Sequence, residues 1–68
     1  MKVFQENLIE LRKRNNLTQK EMATVLGITQ PSYIRYENGT AEPTQQTLVK
    51  IADLFDVSVD FLLGREEI

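Results

Sequence analysis

Cysteine and histidine are both absent from this chain of 68 residues. Their absence removes disulfides, thiolate chemistry, imidazole metal ligands and a histidine general base together, and it excludes a zinc finger outright. Long hydrophobic runs are lacking as well. The longest apolar stretches are two or three residues, and Met1 is followed by no signal-type segment. The sequence therefore predicts a soluble, cytoplasmic protein with no membrane partner. Ser32 and Ser58 have no base to activate them, and the acidic residues have no pocket that so small a chain could close around a substrate. No Asp-x-Asp-x-Asp-Gly loop is present. Neither an enzyme nor a bound metal or cofactor is expected. The length leaves room for a single domain, residues 1–68, whose core would seldom supply more than about 3–5 kcal/mol unless a partner, a second copy or very regular helix packing helped.

The net charge is −2, which taken alone disfavours a polyanionic partner, but the distribution is more telling than the sum. Residues 12–40 hold Arg12, Lys13, Arg14, Lys20 and Arg35 against Glu21 and Glu37. Residues 41–68 hold Lys50 and Arg65 against Glu42, Asp53, Asp56, Asp60, Glu66 and Glu67. The first part is basic and the second acidic. On charge alone, solvated faces and a phosphate-lined partner explain this equally well.

Turn signals recur at the spacing of short helices. Residues 3–15 place Phe4, Leu8 and Leu11 at i, i+4 and i+7 beside Ile9, with charges opposite, which predicts an amphipathic first helix ending at Asn15-Asn16. Thr18 and Glu21 form a capping box that opens a second helix, and Gly27 supplies the left-handed residue that stops it. Thr29 caps a third helix from Gln30 to about Glu37, which ends at Asn38-Gly39, and Pro43 stiffens the following loop. Thr44 caps a fourth helix with the stripe Leu48, Ile51, Ala52 and Phe55. Ser58 caps a short fifth, which carries Phe61 and Leu62 and is stopped by Gly64. The expectation is an all-α, five-helix fold without strands.

Two short helices joined through a glycine turn, at about residues 18–37, make a helix-turn-helix pattern, in which the first brace lets the outer face of the second enter a DNA major groove. Ala23 is small where the two helices meet, and Ile28, Tyr33 and Tyr36 fall on the inward side. Thr29, Gln30, Pro31, Ser32 and Arg35 form the outward face. Glutamine matches adenine with two hydrogen bonds and arginine matches guanine in the same way. Pro31 lies in the first turn, where it either starts the helix or offers its ring to a thymine methyl. Tyr33 and Tyr36 read as core and rim packing with a hydroxyl reaching water, or as phosphate donors. Lys13, Arg14 and Lys20 are surface charges or phosphate contacts.

The run LTQKEMATVLGITQPSYIRYENG, followed by a proline and by TLVKIADLFDVSVDFLLG, resembles the helix-turn-helix domain of the lambda-repressor-like superfamily, the phage Cro/cI and xenobiotic-response-element type, over residues 8–62. The resemblance implies a sequence-specific DNA-binding transcriptional regulator of repressor type, working as a homodimer on a palindromic operator in double-stranded DNA. It implies that Gln19 bridges a phosphate and the third helix. Thr29, Gln30, Pro31 and Arg35 would meet base edges, with Ser32 at a base or the backbone. N–H groups around Asn38 and Thr40 would hold a phosphate. Arg12 and Glu37 would form a structural ion pair, with Arg12 also near the DNA backbone. Thr40, Ala41 and Glu42 stand where relatives often carry basic residues, so fewer phosphate contacts are expected. Ile34 replaces a frequently polar residue and either touches a thymine methyl or covers the turn. Val59, Phe61, Leu62, Leu63 and Ile68 are the expected dimer surface. The rival expectation is a protein-interaction module, an antitoxin or anti-repressor partner, favoured by the acidic second half.

Overall fold

A computed structural model describes residues 2–65 of the chain. Five helices follow one another: α1 (Lys2–Arg14), α2 (Gln19–Leu26), α3 (Gln30–Asn38), α4 (Gln45–Phe55) and α5 (Val59–Leu62), with no strand among the described residues. α1 starts and ends one residue earlier than its periodicity implies. Asn15 turns its side-chain amide back onto the Leu11 carbonyl at 2.7 Å, and Asn16 takes the left-handed conformation (φ 56°). Arg12, Lys13 and Arg14 crowd the last turn, where cations suit the carbonyl end of the helix dipole.

Side-chain caps open the remaining helices. Thr18 Oγ1 accepts the Glu21 N–H at 3.0 Å, and the Glu21 carboxylate returns to the Thr18 N–H at 2.9 Å, the reciprocal box that its spacing implies. Thr29, Thr44 and Ser58 accept N–H groups three residues on, from Ser32, Thr47 and Phe61. α4 ends on Asp56 in the left-handed region (φ 55°), and α3 runs one residue further than expected, to Asn38, before Gly39 stops it.

One core collects Phe4 and Leu8 from α1, Met22, Ala23 and Leu26 from α2, Tyr33 from α3, Ile51 and Ala52 from α4, and Leu62 from α5. Leu62 corrects the sequence reading: it is wholly buried, whereas Val59, Phe61 and Leu63 of the expected apolar C-terminal surface are half-buried, with Val59 and Leu63 packed against the same core. α5 is too short to bury a stripe and turns this one residue fully inward, while Asn7 of α1 holds it by donating to the Phe61 and Leu62 carbonyls at 3.0 and 3.2 Å. Ile68 of that surface, and Glu66 and Glu67 of the acidic half, lie outside the described residues. Among the described residues, the exposed large apolar side chains are instead Val3, Val25, Val49 and Leu54.

Gly27 joins α2 to α3 at φ 70°, and a Cβ built there meets nothing within 4 Å. Gly27→Ala therefore isolates the left-handed backbone penalty, about 1–2 kcal/mol. Thermal melting is expected to fall by roughly 4–8 °C for each kcal/mol lost in a domain of this size, and less for Gly27→Asn, since asparagine tolerates this region better. An alanine variant with an unchanged melting temperature would contradict the assigned turn.

Candidate nucleic-acid interface

α3 has two chemically distinct sides. Thr29, Gln30, Pro31 and Arg35 are exposed and Ser32 is half-buried, whereas Tyr33 and Glu37 are buried. Thr29 does two jobs: its hydroxyl accepts the Ser32 N–H at 3.3 Å and donates to Ser32 Oγ at 2.9 Å, which fixes the tip of the helix. Pro31 sits within the first turn, where a missing N–H disturbs no intrahelical bond. Among the described residues, no hydrogen bond or ion pair engages the side chain of Gln30 or the guanidinium of Arg35.

The buried side is organised around the Glu37 carboxylate. Arg12 donates to both oxygens, from Nε to Oε2 at 2.6 Å and from Nη2 to Oε1 at 3.2 Å. Gln19 Nε2 donates to Oε1 at 3.1 Å, and the Tyr33 hydroxyl donates to Oε2. Three helices thus meet on one side chain. The sequence places the Tyr33 hydroxyl at water or at a phosphate. It is instead enclosed, because its ring fills the core and leaves Glu37 as the acceptor one helical turn on. Burial works against the Glu37 charge, but the bonds from Arg12, Tyr33 and Gln19 outweigh it and hold the carboxyl below the ordinary range. Burial, reinforced by the bond to Glu37, pushes the Tyr33 phenol well above its usual range. The hydrogen bond to Glu37 raises Arg12, which is charged throughout.

Arg12 spends a further donor on the Leu17 carbonyl at 3.0 Å, so the pair also clamps the turn between α1 and α2. Gln19 links the start of α2 to the end of α3, the protein half of the bridge that the resemblance implies. In the loop after α3, the N–H groups of Gly39, Thr40 and Ala41 converge on the Arg35 carbonyl at 3.0, 3.1 and 3.3 Å. Asn38 Oδ1 accepts the Thr40 N–H at 3.1 Å and its hydroxyl at 2.8 Å. The Thr40 N–H, expected to meet a phosphate, is therefore engaged within its own loop here, and both residues are exposed.

Lys13, Arg14 and Lys20 are exposed. Arg14 pairs with Glu10 at 2.9 Å on the open surface, which adds little stability. The sequence reading missed Gln5 and Asn7, which reach from α1 to carbonyls of α3 and α5. Their only signal is position beside the apolar stripe of α1. Among the described residues, no three His, Cys, Asp or Glu side chains gather to hold a metal, and no helix is long and apolar enough to cross a membrane.

A family model described as helix-turn-helix matches residues 8–62. The chain is 50% identical over 64 residues to the HTH-type transcriptional regulator YqaE of Bacillus subtilis, covering 94% of this chain and 55% of that protein. It is 48% identical over 62 residues to the cryptic phage CTXphi transcriptional repressor RstR of Vibrio cholerae, covering 91% and 55%. The chain thus spans about half the length of these curated relatives. A crystal structure of a transcriptional regulator from Listeria innocua superimposes with a TM-score of 0.87 at 29% identity, over 96% of this chain and 61% of that one.

Proposed function

The chain belongs to the XRE-type helix-turn-helix family, and on that premise we propose that it is a sequence-specific transcriptional regulator, of repressor type, that acts in the cytoplasm by occupying an operator in double-stranded DNA. α3 enters the major groove. Gln30 pairs with an adenine edge and Arg35 with a guanine edge, Thr29, Pro31 and Ser32 line the tip, and Gln19 with the Asn38–Thr40 loop meets the flanking phosphates. Two copies on a palindrome place their helices one DNA turn apart, about 34 Å, through the part of the C-terminal apolar surface left open by Val59, Phe61 and Leu63.

One observation carries this reading: α3 is locked on its inner side by the Glu37 network while Gln30 and Arg35 stand exposed and unengaged. Such a side is pre-organised and has its base-matching donors to spare. The repressor assignment draws on the name of the phage-derived relative. The acidic second half favours the alternative, a protein-binding module, and one experiment separates the two. Selection from a randomised duplex pool at low and moderate salt is expected to enrich an inverted repeat. Log K should then fall against log salt with a slope of about 0.9 for each phosphate neutralised, a shallow dependence overall because Thr40, Ala41 and Glu42 add no cation. No enrichment at any salt would sink the regulator and leave the protein-binding module.

A further inference from the structure

Ile34 is the one large apolar side chain of α3 that the core does not claim. Ile28 and Tyr36 pack against the buried cluster and Tyr33 belongs to it, but Ile34 does neither. With 3.6 residues per turn, Pro31, Ile34, Arg35 and Asn38 share an arc on the order of 100°, opposite Tyr33, Tyr36 and Glu37. Pro31, Arg35 and Asn38 are exposed and Ile34 is half-buried. An apolar ridge, Pro31 and Ile34 one turn apart, therefore runs beside the unengaged Arg35 on the same surface.

We propose that Ile34 is a specificity-determining residue, which reads the 5-methyl group of a thymine in the major groove, with Pro31 extending the same apolar ridge toward the tip of α3. The proposal rests on the reading of α3 as the DNA-binding helix. The thymine methyl is the one apolar group that a base pair offers in the major groove. An isoleucine beside an arginine at this surface suits a site where such a methyl adjoins a guanine. A helix rises about 1.5 Å per residue and DNA about 3.4 Å per base along each strand. The thymine should accordingly lie within roughly two base pairs of the base met by Arg35.

The test replaces thymine by deoxyuridine, one position at a time, in the selected duplex, which removes a methyl and leaves every hydrogen-bonding group in place. The wild-type protein should lose affinity by a factor of about four at one such position, the value of a single buried methyl group. Ile34→Ala should bind thymine and deoxyuridine equally at that position, keep its preference at the Arg35 position, and melt within a few degrees of wild type, since no core contact is lost. A deoxyuridine penalty that is the same in wild type and Ile34→Ala would overturn the proposal. So would a penalty nowhere, or an Ile34→Ala protein that melts far below wild type with the penalty intact. Failure of the pool to yield any motif is a different result, and it would strike the DNA-binding reading itself.

Discussion

Glu37→Ala is expected to lower the melting temperature by about 15–30 °C. The carboxylate accepts from Arg12, Gln19 and Tyr33. The Arg12 side chain is 13% exposed and that of Glu37 6%. Removing the acceptor leaves a guanidinium and a phenol enclosed without their partner, a loss of about 3–5 kcal/mol, and a domain of this size shifts by roughly 4–8 °C per kcal/mol. Thermal denaturation by circular dichroism measures it. Arg12→Leu/Glu37→Leu should recover part of the loss, because a missing pair is cheaper than an orphaned partner. If the double variant is as unstable as the sum of the single ones, the coupling assigned to the pair is wrong.

The same network sets the acid limit. The folded protein holds the Glu37 carboxyl below its ordinary value, so folding favours the charged form. Its contribution is fully present above the unfolded value, about 4.3, and is lost as pH falls through the lower folded value. Wild type should therefore lose stability steeply below about pH 4, and Glu37→Ala should show a flatter acid limb. A parallel limb in both proteins would mean that other carboxylates govern acid unfolding.

Local rules and long-range contacts differ sharply in how much of this molecule the sequence discloses. Thr18 with Glu21, Gly27, and the caps at Thr29, Thr44 and Ser58 are legible because each acts within four residues, where composition and spacing carry the physics. The stripes of α1 and α4 are legible for the same reason. What joins the helices is not. Asn7 finds the α5 carbonyls 54 and 55 residues away, and Gln5 finds α3 at a separation of 32. Nothing periodic marks either residue. Leu62 reads as open surface because the C-terminal segment is more apolar than a monomer needs; packed into the cluster with α1, it is core. The Arg12–Glu37 pair follows from family resemblance rather than residue pattern, and neither source points to Tyr33 as a further donor to Glu37. The outward face of α3 is readable by subtraction, since Ile28, Tyr33 and Tyr36 fall on the inward side and leave Gln30, Pro31 and Arg35 outside.

Arg35→Ala is expected to relax one position of the selected DNA motif by about 5- to 150-fold, the equivalent of roughly 1–3 kcal/mol for a bidentate pair, with little change in melting temperature. Arg35 is exposed and its guanidinium is engaged by no hydrogen bond or ion pair among the described residues. Alanine therefore orphans nothing inside the fold. The contrast with Arg12 is instructive: Arg12 is enclosed and paired with Glu37, whereas Arg35 is exposed, and of the two only the enclosed one ties helices together. Arg35→Lys decides between reading a base and holding a phosphate. Lysine keeps the charge but not the rigid fork, and its ammonium still donates to guanine, so a base-reading arginine loses part of its guanine preference in Arg35→Lys and all of it in Arg35→Ala, while the salt dependence of Arg35→Lys stays that of wild type. A phosphate-holding arginine gives the reverse pattern. Lysine then preserves the motif, and alanine weakens binding to all sequences alike with a log–log salt slope shallower by about 0.9. Repeating the selection and the salt titration with the three proteins yields one pattern or the other, and the second would move sequence discrimination from Arg35 to Gln30 and the tip of α3.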